Sequence, residues 1–218
     1  MKTIIFDLDG TILDTLEDLK NAVNHALYFY NYPLKDREFV RKAIGNGTQV
    51  LIRRCTPNDI NEDRYHEVFN YFKSYYLNHY SDCTRPYAGI NNLLKELKNK
   101  CHVVVVSNKD HDLTQKLINK EFPGLFDVIQ GSYMDKPKKP DPFLINNIIK
   151  EYKIDKKDCL YIGDTNVDME SANNAGLEYR LVSYGYRNKK ELEKTCPNDM
   201  PFDSVNELHN YLLKWVNL

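Results

Sequence analysis

Residues 3–11 read Thr3-Ile4-Ile5-Phe6-Asp7-Leu8-Asp9-Gly10-Thr11, a short β-branched and apolar run that stops on two carboxylates and a glycine. A run this continuous suits a strand buried on both faces, the environment of a parallel sheet. Two further runs repeat the pattern. His102-Val103-Val104-Val105-Val106 ends in Ser107-Asn108, and Cys159-Leu160-Tyr161-Ile162 ends in Gly163-Asp164. Weaker runs at Asp127-Val128-Ile129 and Tyr179-Arg180-Leu181-Val182 supply two more expected strands.

Helical periodicity fills the intervals. Ile90, Leu93, Leu94 and Leu97 share one helical face, and Leu113, Leu117 and Ile118 another. Asp141-Pro142 opens a helix carrying Leu144, Ile145, Ile148 and Ile149, because proline costs nothing in a first turn. Ser204 and Glu207 form a capping-box pattern for a last helix ending near Trp215. Strands alternating with helices give an α/β fold, a doubly wound parallel sheet with a Rossmann-like core. From about Thr15 to Arg85 the alternation stops and only helical patterning remains. Thr15 is the expected cap of a helix whose inner face is Leu16, Leu19, Val23, Ala26, Leu27 and Tyr30. A second helix is expected around Phe39 to Arg54 and a third from Asp63 to Tyr80. The division is therefore a core of residues 1–14 and 86–218, with a small helical cap domain of residues 15–85 inserted after the first strand.

The chain has 218 residues, 42% of them hydrophobic, enough to bury one substantial core. With 30 Lys+Arg against 31 Asp+Glu the charges nearly cancel, which argues against a nucleic-acid or membrane-surface partner. Small polar or charged substrates remain open. The five scattered cysteines form no C-x-x-C pair and read as reduced thiols of a cytoplasmic protein. Monomer and homodimer are both compatible with the sequence.

Ligands of open α/β sheets bind just outside the carboxyl ends of the strands. Asp7, Asp9, Asp164 and Asp168 all fall at or after such ends. Brought together they would repel one another unless a cation intervened, and an all-oxygen set favours magnesium. Asp7 and Asp9 stand at i and i+2, so in an extended segment both side chains face one centre. One could attack phosphorus while the other handles a proton. Ser107-Asn108 offers a hydroxyl and backbone N–H groups to a phosphate. Lys139 places a positive charge just ahead of a helix N-terminus. Lys136-Pro137 imitates Lys139-Pro140, and Lys139 is preferred because Pro142 puts it directly before the helix.

Taken together, Asp7-Leu8-Asp9-Gly10-Thr11, Ser107, Lys139 and Gly163-Asp164-Thr165-Asn166-Val167-Asp168 resemble the four motifs of the haloacid-dehalogenase-like hydrolase superfamily. The resemblance covers nearly the whole chain. It implies that Asp7 is a nucleophile forming an aspartyl-phosphate and that Asp9 is the acid and base. It also implies that magnesium is held by the Asp7 carboxylate, the Asp9 main-chain carbonyl and Asp164, with Asp168 in support. Ser107 and Lys139 would bind phosphoryl oxygens. An aspartate at position 9 favours phosphate chemistry over dehalogenation, whose halide leaves without a proton. Leu19 stands where the phosphoglucomutase branch usually has histidine. Gly45-Asn46-Gly47 followed by Val50-Leu51-Ile52-Arg53-Arg54 is similar to a segment of phosphoglycolate phosphatases. Gly10, Thr11, Asn108 and Asn46 are the expected substrate contacts. The expectation is a phosphomonoester hydrolase, with 2-phosphoglycolate as first substrate. Inorganic pyrophosphate or a sugar or nucleotide monophosphate stands next, and a non-catalytic phosphate-binding regulator is the alternative of another class.

Overall fold

A computed structural model describes residues 1–217, which divide into two compact units: residues 1–13 with the chain from Pro86 onward, and residues 14–85. The first strand, β1 (Thr3–Phe6), is followed by the short β2 (Leu13–Asp14). Four helices come next: α1 (Leu16–Phe29), α2 (Arg37–Ala43), α3 (Thr48–Cys55) and α4 (Glu62–His79). The short β3 (Arg85–Pro86) pairs with β2 as the chain returns. The remainder runs α5 (Ile90–Leu97), β4 (His102–Asp110), α6 (His111–Glu121), β5 (Val128–Ser132), α7 (Phe143–Glu151), β6 (Cys159–Gly163), α8 (Asn166–Ala175), β7 (Glu178–Leu181), α9 (Lys189–Thr195) and α10 (Val205–Val216).

The five longer strands form one parallel sheet in the order β5-β4-β1-β6-β7. In register, Ile5 faces Val104 on one side and Tyr161 on the other. This row, with Val106, is buried under Leu144, Ile145 and Ile148 of α7 and Ala172 and Ala175 of α8. The opposite parity, Ile4, Phe6, Val103, Val105, Leu160 and Ile162, is fully buried as well. Both faces of the sheet are therefore covered, which is why these strands read as unbroken apolar runs rather than as alternations.

The helical unit packs α1 against α4. Leu19, Val23, Ala26 and Leu27 of α1 are buried, as are Tyr65, Val68, Phe69, Phe72 and Tyr76 of α4. Inside this unit the buried Asp18 carboxylate accepts hydrogen bonds from the Cys83 and Thr84 N–H groups and the Thr84 hydroxyl, each 2.8 Å long.

Four local expectations change. Thr15 occupies the N-cap position of α1 without a side-chain capping bond, and the Asp14 carboxylate bonds the Leu16 N–H instead. The single helix expected over Phe39–Arg54 is two, because Gly45 (φ 128°) and Gly47 (φ 85°) turn the chain in a region closed to most side chains. Ser204 caps Glu207 as expected, but the Glu207 carboxylate accepts from Asp203 N–H, one residue earlier than in a capping box. Strand β4 continues past its apolar run to Asp110.

Candidate active site

The carboxyl ends of β1, β4 and β6 lie side by side because those strands are neighbours in the sheet. Beyond β1 the chain closes tightly: the Leu8 carbonyl accepts from the N–H groups of Thr11, Ile12 and Leu13. Gly10 holds φ at 90°, and a Cβ there would lie 2.3 Å from Asp164 Oδ2. Only a glycine lets this loop approach the Asp164 carboxylate so closely. The loop after β7 closes on the same group. Tyr186 N–H donates to Asp164 Oδ2 at 2.6 Å, and a Cβ on Gly185 would lie 2.1 Å from the Gly10 carbonyl oxygen. The Thr11 hydroxyl donates to Asp164 Oδ1 at 3.4 Å, and Tyr184 Oη donates to the Thr11 carbonyl.

The end of β4 breaks regular pairing. Val106 faces Gln130 and Asp110 faces Ser132, so three residues on β4 oppose the single Gly131 on β5. A bulge of this kind re-aims side chains that would otherwise alternate between faces. Ser107 is buried, its Oγ accepting from Lys109 N–H. Asn108 brackets Lys139, accepting from its N–H at 2.8 Å and donating to its carbonyl at 2.9 Å. Lys109 sends its Nζ to both carboxylate oxygens of Asp9, at 3.0 and 3.1 Å.

Lys139 is the junction of the buried cluster. Its Nζ donates to Asp7 Oδ1 and Asp168 Oδ1, both at 2.7 Å, and bonds Tyr161 Oη at 3.0 Å. Asp168 is further held through Oδ2 by the N–H and hydroxyl of Thr165, the N-cap of α8. Gly163 is again the residue that permits this approach, since a Cβ there would lie 2.2 Å from Asp168 Cβ. Lys136, by contrast, is half-exposed and pairs with Asp135 at 3.3 Å.

The electrostatics follow from burial. Asp7, Asp164 and Asp168 are buried, and each offers an oxygen within 4.8 Å of the others. At that separation two carboxylates repel by about 3 kcal/mol, taking an effective dielectric of about 20. Burial pushes the Asp7 carboxyl up to about 7 against the pull of Lys139, with Asp168 adding to the rise. Burial also raises Asp164 well above the usual carboxylate range, followed by repulsion from Asp168 and Asp7. Burial alone would lower Lys139, yet Asp168 and Asp7 hold it well above the ordinary lysine value, so it stays charged.

The donor set suits a hard divalent cation. Ionised together, Asp7, Asp164 and Asp168 would carry three negative charges against the one Lys139 ammonium bonded among them, with Arg187 acting on Asp164 besides. Oxygen donors with negative charge to spare are what such an ion requires. Asp168 is engaged through both oxygens by Lys139, Tyr161 and Thr165, and Asp164 through both by Tyr186 and Thr11, so Asp7, Asp164 and Asp168 stand together as the candidate ligand group.

Of the residues singled out from sequence, Asp7, Asp9, Gly10, Thr11, Ser107, Asn108, Lys139, Asp164 and Asp168 all lie in the first unit around these strand ends. Asn46 lies in the second unit, where its side-chain oxygen accepts from Arg54 Nη2 at 2.9 Å. Arg54 also bonds the Ala43 carbonyl and so ties down the turn between α2 and α3. Sequence reasoning missed Lys109, Tyr161, Thr165 and the loop Tyr184–Tyr186. The one available signal was a lysine three residues beyond the apolar part of a strand buried on both faces.

The family described as haloacid dehalogenase-like hydrolase matches residues 4–182. A phosphoglycolate phosphatase from Aquifex aeolicus is 30% identical over 220 residues, covering 99% of this chain and 100% of that protein. Phosphoglycolate phosphatase 1 of Pseudomonas aeruginosa is 30% identical over 213 residues, 95% of this chain and 78% of its own length. A crystal structure of a protein from Lactobacillus delbrueckii subsp. bulgaricus superposes with a TM-score of 0.90 at 29% identity, over 97% of this chain and 99% of that one.

Proposed function

The chain belongs to the haloacid dehalogenase-like hydrolases, in their phosphoglycolate-phosphatase-like branch, and from that premise we propose that it hydrolyses a small phosphomonoester, 2-phosphoglycolate first, through a phosphorylated Asp7. The reading is carried by one observation: the buried carboxylates of Asp7, Asp164 and Asp168 gather within 4.8 Å of one another, with the Lys139 ammonium bonded to Asp7.

An Asp7 carboxylate oxygen attacks phosphorus and the bond from phosphorus to the ester oxygen breaks. Asp9 gives its proton to the departing alcohol oxygen. Water then attacks the phosphorylated Asp7, its proton passes to Asp9, and the bond from phosphorus to Asp7 breaks, releasing inorganic phosphate. The covalent intermediate replaces one hard displacement by two easier ones. Lys139 and Ser107 bind the equatorial phosphoryl oxygens, where charge accumulates. Asp168 and Tyr161 keep the Lys139 ammonium aimed at Asp7. Magnesium, held by Asp7, Asp164 and the Asp9 main-chain carbonyl with Asp168 behind, would neutralise phosphoryl charge when bound.

The helical unit of residues 14–85 is assigned as a cap that selects substrate, with Gly45-Asn46-Gly47 as its contact. Five free cysteines, four of them buried, support a cytoplasmic location; among the described residues no helix is long and apolar enough to cross a membrane. The test is magnesium-supported phosphate release over 2-phosphoglycolate, pyrophosphate, and sugar and nucleotide monophosphates. Asp7→Asn should cut release about a thousandfold or more while the fold is retained. Undiminished release by that variant rejects the covalent mechanism.

A further inference from the structure

Lys109 stands apart from the four motifs, yet it pairs with Asp9 through both carboxylate oxygens. Its Nζ reaches Oδ1 at 3.0 Å and Oδ2 at 3.1 Å. The lysine side chain is 2% exposed and the aspartate side chain 14%. Fully burying an ammonium on a four-carbon stem is costly unless it is paired, so this pair is a built feature of the strand end. Its backbone is fixed on three sides. The N–H donates to Ser107 Oγ, and the carbonyl accepts from Thr114 Oγ1 and Ser132 Oγ. At the bulge, Ser107, Asn108 and Lys109 together oppose Gly131, so the three are not held in regular pairing with β5.

We propose that Lys109 is a positioning residue: it holds the Asp9 carboxyl by both oxygens, fixing its rotamer so that the proton donor meets the departing ester oxygen. The inference rests on the phosphatase reading and on Asp9 as its acid. Lys139 orients the nucleophile; Lys109 orients the group that serves the leaving alcohol. The two lysines thus divide the two carboxylates of the first strand end between them.

The distinguishing measurement uses leaving groups. An alkoxide needs a proton as it departs, and an acetate does not, so 2-phosphoglycolate depends on a well-placed acid while acetyl phosphate does not. The comparison is made in kcat/KM, which covers events up to release of the leaving group and is blind to the later attack by water. Lys109→Met should lower kcat/KM about 30-fold for 2-phosphoglycolate and less than about threefold for acetyl phosphate. Lys109→Arg, which keeps a fork of donors, should restore most of the difference, and serves if the methionine variant folds poorly. Asp9→Asn is run alongside. If Asp9→Asn discriminates between the two substrates and neither Lys109 variant does, the positioning role is overturned while the phosphatase reading stands. If Lys109→Met loses equally on both substrates, Lys109 acts on phosphate or on folding, and the proposal fails. If Asp9→Asn itself shows no preference, the acid role of Asp9 falls, and the proposal with it.

Discussion

Gly10 and Gly185 approach the same carboxylate from two loops, and neither position has room for a methyl group. Gly10→Ala would need φ near 90° and would drive a Cβ into Asp164 Oδ2. Strain of this kind costs about 1–3 kcal/mol. The expected outcome is a lower melting temperature with phosphate release reduced at least as much as by Asp164→Asn, measured by thermal melting and steady-state assay. Asp7 makes a second prediction. A metal ligand must be deprotonated, and this carboxyl is pushed up to about 7 by burial. Magnesium affinity, read by titration calorimetry, should weaken about tenfold per unit as the pH falls below about 7. An affinity flat between pH 5 and 7 would refute it. The carboxylates were legible in the sequence because their spacing is local. Lys109 was not, because a charged residue at the end of a strand usually points to solvent, whereas this one is buried in a bulge and paired with Asp9.

At the level of elements, Gly131 permits that bulge from the neighbouring strand. A Cβ there would lie 2.6 Å from both His111 Cα and Thr114 Oγ1, and 2.8 Å from the Lys109 carbonyl. Gly131→Val should therefore lower activity through Lys109 without touching substrate. A spectrum or crystal structure showing β4 unmoved, together with full activity, would contradict this. In the helical unit, Asp18→Ala leaves the Cys83 and Thr84 N–H groups without their acceptor. The expected loss is about 3 kcal/mol in urea unfolding. Strands β1, β4 and β6 were readable because burial on both faces writes itself as apolar runs. The break between α2 and α3 was not, since Val40, Ala43, Leu51 and Ile52 keep an apolar pattern across it and only two glycine torsions interrupt the helix. The short β2 and β3 carry too few residues to show any period.

For the molecule as a whole, the site trades stability for charge. Asp7 has a folded-state pKa raised from 3.8 to about 7, so the folded metal-free chain holds that proton where the unfolded chain has lost it. The corresponding stability is fully present below about pH 3.8 and lost as the pH rises through about 7. Magnesium at about 100 times its dissociation constant should restore about 2.7 kcal/mol. Its effect on melting temperature should accordingly be larger at pH 8 than at pH 5.5, and equal shifts at both would count against the site. The sheet has one further consequence. Its central strand is the first to be made, yet its partners are remote in the chain: Thr3 pairs with His102 and with Cys159. On the ribosome β1 must wait, unpaired and apolar, until β4 has emerged about a hundred residues later, and longer still for β6. The helices of residues 14–85, whose neighbours are local, are free to form in the interval. Biosynthesis thus finishes the inserted segment before the framework that carries the chemistry.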